Sequence, residues 1–194
     1  TKKGRNTRKN DRKEEQIVVT PVQPSEEDAT EDNGTACLLK NGWNVYVHHV
    51  NNPDWSLTSY EQIYTINNFS NFWRFISNFK QIHNNVYRVF VMRDGIQPIW
   101  EDPNNRNGGE CSFKMSLAES IVVWERLIVG VLNESLIKQN EDINGISFNP
   151  KNGSVLVKIW NKSKQIDVSK LIDPNFGKQH PGVSIKYKTT TPEY

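Results

Sequence analysis

After residue 36 the chain alternates short strand-like runs with only two strongly helical segments, and this order restricts the fold more than any other feature. Residues 43–50, 60–66, 86–92, 111–115, 143–148, 155–160 and 183–187 read as strands, by alternation or by β-branched and aromatic content. Asn68 is placed to cap a helix on which Phe69, Phe72, Trp73, Ile76 and Phe79 recur at helical spacing. Ser116-Leu117-Ala118-Glu119 fits a capping box before the apolar run 121–132. Asp94-Gly95 carries a hairpin-turn signal at the end of its strand. The expected class is α+β: a mainly antiparallel sheet of about eight strands with helices on one face, the other face left open for a ligand.

Residues 1–35 lack hydrophobic periodicity. Lys2, Lys3, Arg5, Arg8, Lys9, Arg12 and Lys13 form a basic block, and Glu26, Glu27, Asp28, Glu31 and Asp32 an acidic one. Such a segment buries too little apolar surface to offset its chain entropy, so a disordered tail is expected ahead of a folded domain at 36–194. No run approaches the about 20 apolar residues of a membrane span, and the N-terminus has no hydrophobic signal core, so no membrane partner is expected. Two cysteines suggest a reducing, cytoplasmic setting. Neither they nor the four histidines have metal-ligand spacing, so no metal or other cofactor is expected. A net charge of +2 is too small for broad coating of nucleic acid; any such contact is expected to be local and ligand-specific.

Trp100-Glu101-Asp102 is the pattern with the clearest chemistry. An indole offers a flat π face, and a carboxylate beside it can accept hydrogen bonds from N1–H and the exocyclic amine of guanine. A second tryptophan, Trp55, is available on another loop to close a sandwich. An N7-methylated guanine is cationic, which adds about 0.5 to 2 kcal/mol per ring to base stacking of about 1 to 3 kcal/mol.

The residues around this pair resemble the eukaryotic translation initiation factor 4E family, whose members bind the 7-methylguanosine cap of mRNA. The likeness rests on Asp94-Gly95-Ile96-Gln97-Pro98-Ile99-Trp100-Glu101-Asp102 and Asn107-Gly108-Gly109. Trp43, Asn68-Phe69-Ser70-Asn71-Phe72-Trp73, Trp124-Glu125, Asn144-Gly145-Ile146 and Val157-Lys158-Ile159-Trp160 follow in family order. It runs from about residue 38 to 188. The resemblance implies a curved sheet with three helices on its convex back and a cap slot on the concave side. The third helix is expected near 166–171, kept short by Pro174 and Gly177.

On this likeness Trp100 is the second stacking residue and Glu101 reads guanine. Trp55 is the expected first stacking residue, one position off the ungapped family register; Tyr60 is its rival, resembling the stacking tyrosine of repressor-type members. Lys151 matches the family's phosphate-binding Arg. The family's later phosphate Lys falls at Leu156, and Lys158, on the same strand face, is the substitute, with Lys162 and Lys164 in the next loop. Glu110 stands where the family has a supporting Arg, and Arg106 is its compensating candidate. A single surface lysine can equally serve solubility alone.

The convex back is the family's partner surface. Phe69, Trp73, Ile128 and Val129 match positions that hold a helical peptide of an initiation scaffold or repressor, although Trp73 could also belong to the core. Cys37-Leu38-Leu39 and Glu125-Arg126 depart from the family pattern there. Trp43, Trp124 and Trp160 read as core. The implied function is non-catalytic binding of capped mRNA in translation initiation, by a monomer. The alternative is a cap-binding repressor or specialised paralogue that recruits no usual scaffold. A cap-processing hydrolase is a distant third, because no metal site or activated nucleophile is visible.

Overall fold

The computed structural model describes residues 37–82 and 86–191. The expected tail lies outside the described residues. Seven strands form one sheet: β1 (Leu38–His49), β2 (Glu61–Asn68), β3 (Tyr87–Arg93), β4 (Gly109–Ser116), β5 (Ile143–Lys151), β6 (Ser154–Asn161) and β7 (Ser184–Thr189). Their order is β2-β1-β3-β5-β6-β4-β7, and every pairing is antiparallel. Helix α1 (Phe69–Ile82) follows β2, and α2 (Leu117–Leu132) follows β4. The seven strands and the antiparallel α+β class agree with the sequence pattern, which suggested about eight.

Alternation along the strands creates two faces. Trp43, Val45, Val89, Val91, Phe113, Phe148, Val157 and Ile159 join residues of α1 and α2 in the main core. Stacking of Phe79 on Trp124, with centroids 4.8 Å apart, locks the two helices together over the edge of Phe148. Tyr46, Phe90, Met92, Ile96 and Trp160 form a second cluster on the opposite, concave face. Trp160 is therefore core, as expected, but on the ligand side, where its indole N–H donates to Ser147 Oγ at 3.1 Å.

Both caps form as the sequence suggests. Asn68 Oδ1 accepts from Asn71 N at 2.8 Å, and Ser116 Oγ donates to the Glu119 carboxylate at 2.9 Å while Glu119 N approaches Ser116 Oγ at 3.4 Å. Asp94-Gly95 departs from expectation. Gly95 makes a tight turn at φ +78°, but no strand folds back on β3 there; β4 lies between β6 and β7. The chain after Gly95 instead crosses the concave face. The two-residue hairpin sits at Asn152-Gly153, where Lys151 pairs with Ser154 and Gly153 takes φ +69°. The third helix is also displaced. Residues 168–170 make one 3₁₀ turn, and α3 (Phe176–Gln179) begins just after Pro174 with Gly177 inside it. Pro174 lies just before the N-cap, Asn175, and so separates the 3₁₀ turn from α3.

Candidate nucleotide-binding cleft

The loop from Gly95 to Gly108 carries Trp100 and Glu101, and buried polar groups hold its shape. The Asp102 carboxylate accepts from Gln97 N at 2.9 Å and Asn104 N at 2.8 Å. Asn105 Nδ2 donates to the carbonyls of Gln97 and Ile99, at 2.9 and 2.8 Å. Asn144 on β5 donates to Asn104 O at 2.8 Å and Asn105 Oδ1 at 3.0 Å, which anchors the loop to the sheet. Satisfied buried networks of this kind rigidify a loop. Asp102 thus positions the two residues before it rather than facing ligand. Gly109 continues the close fit, because a Cβ there would collide with the Tyr187 hydroxyl.

Beneath the loop lies a cleft of about 490 Å³, within the ordinary range for small-molecule sites. Trp55, Tyr60, Trp100, Glu101, Lys151 and Lys158 all line it, together with Arg88, Phe90 and Trp160. Trp55 and Trp100 are 50% and 37% exposed, unusual for residues of this size. The Trp55 ring lies flat on His48, with centroids 4.4 Å apart and planes within 7°, which fixes the plane of the indole. His48 Nε2 lies 2.7 Å from Asp54 O, which fixes the histidine beneath the ring. Two hydrogen bonds from Ser56 to the Asp54 carboxylate pull its pKa below the usual range and hold the loop turn. Tyr60 packs edge-on against Phe90 at 5.3 Å. Burial pushes its phenol pKa up, and nearby Glu101 adds to the shift against the opposing Arg88. Tyr60 therefore forms a neutral wall beside Trp55.

Among the described residues the Glu101 carboxylate has no hydrogen-bond or ion-pair partner, so its acceptors are open to the cleft. The cations differ sharply. Lys151 is exposed and unpaired among the described residues. Lys158 Nζ is bound by both oxygens of buried Glu110, at 2.7 and 2.8 Å. Lys158 and Lys188 hold their ammonium groups 6.0 and 5.9 Å from the Trp100 centroid. Arg106, Lys162 and Lys164 are exposed on adjoining loops and do not line the cleft.

Two cations escaped the sequence reading. Arg88 lines the cleft and sets its guanidinium 4.8 Å from the Trp55 centroid. Lys188 pairs across the sheet with Glu110. The alternation of Ile185 and Tyr187 with Lys186 and Lys188 was the available signal, since it puts both lysines opposite the core.

On the helix side, α1 splits its apolar residues. Phe72, Phe75 and Phe79 are buried, whereas Phe69 and Trp73 are 41% and 59% exposed. Val129 on α2 is also exposed. Ile128 corrects the sequence expectation: it is fully buried in the main core and offers no surface to a partner. Leu117 and Val122 are exposed apolar residues of α2 that the sequence reading omitted. Arg126 sits over the Phe176 ring at 5.1 Å and pairs with Asp173 at 3.6 Å, joining α2 to the α3 region.

The model of the family described as eukaryotic initiation factor 4E matches residues 38–190. The chain belongs to that family. Initiation factor 4E of Candida glabrata is 26% identical over 76% of this chain and 79% of its own length. A homologue of initiation factor 4E in Acanthamoeba polyphaga mimivirus is 45% identical over a shorter match, 29% of this chain and 22% of the homologue. In fold, the chain is similar to Ascaris suum eIF4E-3 solved with an m7G cap. That likeness has a TM-score of 0.68 at 20% identity and covers 81% of this chain and 93% of that one. Caenorhabditis elegans eIF4E-3, solved with the 4E-binding protein Mextli and a cap analogue, gives 0.68 at 18% identity, over 80% and 93%. The 4E family comprises initiation factors, not enzymes. Among the described residues no group of side chains could hold a metal ion, and no helix is long and apolar enough to cross a membrane.

Proposed function

We propose that this chain binds the 7-methylguanosine cap of mRNA in translation initiation. The observation that carries the reading is Glu101: an unpaired carboxylate beside an exposed indole, on a loop braced from beneath, facing Trp55 across a cleft. The methylated base enters between Trp55 and Trp100. Glu101 accepts two hydrogen bonds from guanine's Watson–Crick edge, each charge-assisted and worth about 1.5 to 3 kcal/mol. The charge on the methylated ring strengthens both stacking contacts. Tyr60 closes the side of the slot and stays neutral. Lys151 meets the phosphates, so affinity falls as salt rises. Lys158 contributes less than an unpaired lysine, because Glu110 already neutralises it.

The 7-methylated ligand should strongly quench intrinsic tryptophan fluorescence in a titration of 7-methyl-GTP against GTP. Equal quenching by both would sink the cap reading in favour of a generic nucleotide slot, and no quenching in folded protein would exclude the slot altogether.

Phe69, Trp73 and Val129, with Val122, form the surface on which a helical peptide docks. The chain acts as a monomer there, with the domain beginning near residue 36. Arg126 favours a specialised partner: its guanidinium is committed to Asp173 and Phe176, so a peptide that needs an acidic side chain at that point meets a cation.

A further inference from the structure

His48 lies on the concave side of β1, paired across the sheet with Arg88 of β3 and only 1% exposed. Both of its ring nitrogens are engaged. Nε2 is 2.7 Å from Asp54 O, and Nδ1 is 3.2 Å from Arg88 Nη1. A carbonyl only accepts and a guanidinium only donates, so these partners assign the proton to Nε2 and leave a lone pair on Nδ1. The arrangement therefore needs the neutral ring. Arg88 Nη1 also donates to His49 O at 3.1 Å, which holds the guanidinium at the end of the strand pair. A nitrogen bonded to Nδ1 cannot also reach the indole face turned away from His48, so this bond keeps Arg88 on the His48 side of Trp55. The bonds between Asp54 and Ser56 lie within the Trp55 loop; the His48 bond ties that loop to the sheet.

A proton on Nδ1 changes three contacts at once. The acceptor that faces Arg88 becomes a donor, and two cations stand against each other. A positive charge also lies 4.4 Å from the indole centroid, so the π system of Trp55 has less to offer a cationic base. The groups around the ring pull in both directions. Arg88 disfavours the charged form. Asp54 favours it, with a carboxyl that the Ser56 bonds hold below the usual range. Tyr60, tilted against the ring at 4.9 Å, stays neutral because burial pushes its phenol up. Glu101 lines the same cleft farther off. An unperturbed imidazole changes charge at about pH 6.5, within reach of ordinary solution conditions.

We propose that His48 is the positioning residue for Trp55 and makes recognition of the methylated base depend on pH. The neutral ring holds the indole and Arg88 in their binding arrangement; the protonated ring disturbs both and weakens stacking of a cationic base. Binding is thus full where His48 is neutral and falls as pH drops through its titration. The inference rests on the cap reading and adds to it a residue that acts through Trp55.

The test titrates the full chain with 7-methyl-GTP between about pH 7.5 and 5.5. His48→Phe keeps a flat ring under Trp55 and removes the titrating group. The ionisation of the ligand and of Glu101 is common to both proteins. Wild type should lose about fivefold more affinity over this range than His48→Phe, the size of one cation–π contact. His48→Gln, whose amide can donate to Asp54 O and accept from Arg88 without titrating, should also lack the extra loss, so a folding defect in one variant leaves the other to decide. His48→Ala should bind more weakly at every pH, and His48→Phe should recover that loss at pH 7.5. Trp emission of ligand-free wild type should fall with pH, because a protonated imidazole stacked on an indole quenches it; His48→Phe should lack this fall. Parallel pH profiles for wild type, His48→Phe and His48→Gln overturn the proposal, as does wild-type affinity of His48→Ala at pH 7.5. Failure of the cap reading looks different: wild type then binds 7-methyl-GTP no better than GTP at pH 7.5 although the ligand-free emission still titrates, and this proposal falls with it.

Discussion

The two faces of the sheet are made by the same strands and obey opposite rules. On β4, Cys111, Phe113 and Met115 point into the helix-covered core, and Glu110, Ser112 and Lys114 alternate with them on the open side. On β6, Val155, Val157 and Ile159 alternate with Leu156, Lys158 and Trp160. The helix side is closed by aromatic packing, to the point that the indole N–H groups of Trp43 and Trp124 are buried without an acceptor. The open side leaves the indoles of Trp55 and Trp100 partly exposed, and Glu101, Lys114 and Lys151 without an ion-pair partner among the described residues. Exposed indoles add little to the stability of a fold, and solvated charges add little more. The contrast therefore separates residues that hold the domain together from residues that await a ligand.

Substitutions on opposite faces should break this contrast in opposite ways. The largest effect belongs to Trp124→Ala, which opens a cavity between Phe79 and Phe148 and should cost about 3 to 5 kcal/mol of unfolding free energy in urea. The fraction that remains folded should bind 7-methyl-GTP normally. A loss of affinity with unchanged stability would dissolve the division between the faces. Glu101→Ala should do the reverse. Removing two charge-assisted hydrogen bonds should weaken 7-methyl-GTP by about 100-fold or more, with stability within about 0.5 kcal/mol of wild type. A folded variant that still binds cap resin removes Glu101 from recognition. The smallest effect is expected of Glu110→Gln, which frees Lys158 while keeping a hydrogen-bonding side chain beneath it. Binding of 7-methyl-GTP at low salt should improve about two- to fivefold relative to 7-methylguanosine. An unchanged ratio would mean that Lys158 never meets phosphate.

Local signals carried much of this molecule. The two helices and their caps at Asn68 and Ser116 follow from short-range chemistry, and so does the Trp100-Glu101 pair. The failures share one cause, which is that partners across the sheet lie far apart in the chain. The Lys158–Glu110 pair spans 48 residues, and no spacing rule reaches that far. Asp94-Gly95 carries a valid turn signal, but where the chain goes afterwards depends on Asn144 and Asp102, which capture the loop on the concave face. Ile128 was misplaced because the run 121–132 is apolar on nearly every side, so periodicity alone cannot say which residues face the sheet. The family register helped most where the motif is dense, around Trp100, and least in the loop bearing Trp55.

The bracing of the Trp100 loop by Asp102, Asn105 and Asn144 also bears on timing. A loop already held in its binding shape has little ordering left to do when a ligand arrives, so encounter alone sets the association rate. Ligands of equal charge that differ only in the fit of the base then enter at similar speeds and are told apart by how long they stay. Discrimination in this protein is a matter of residence time.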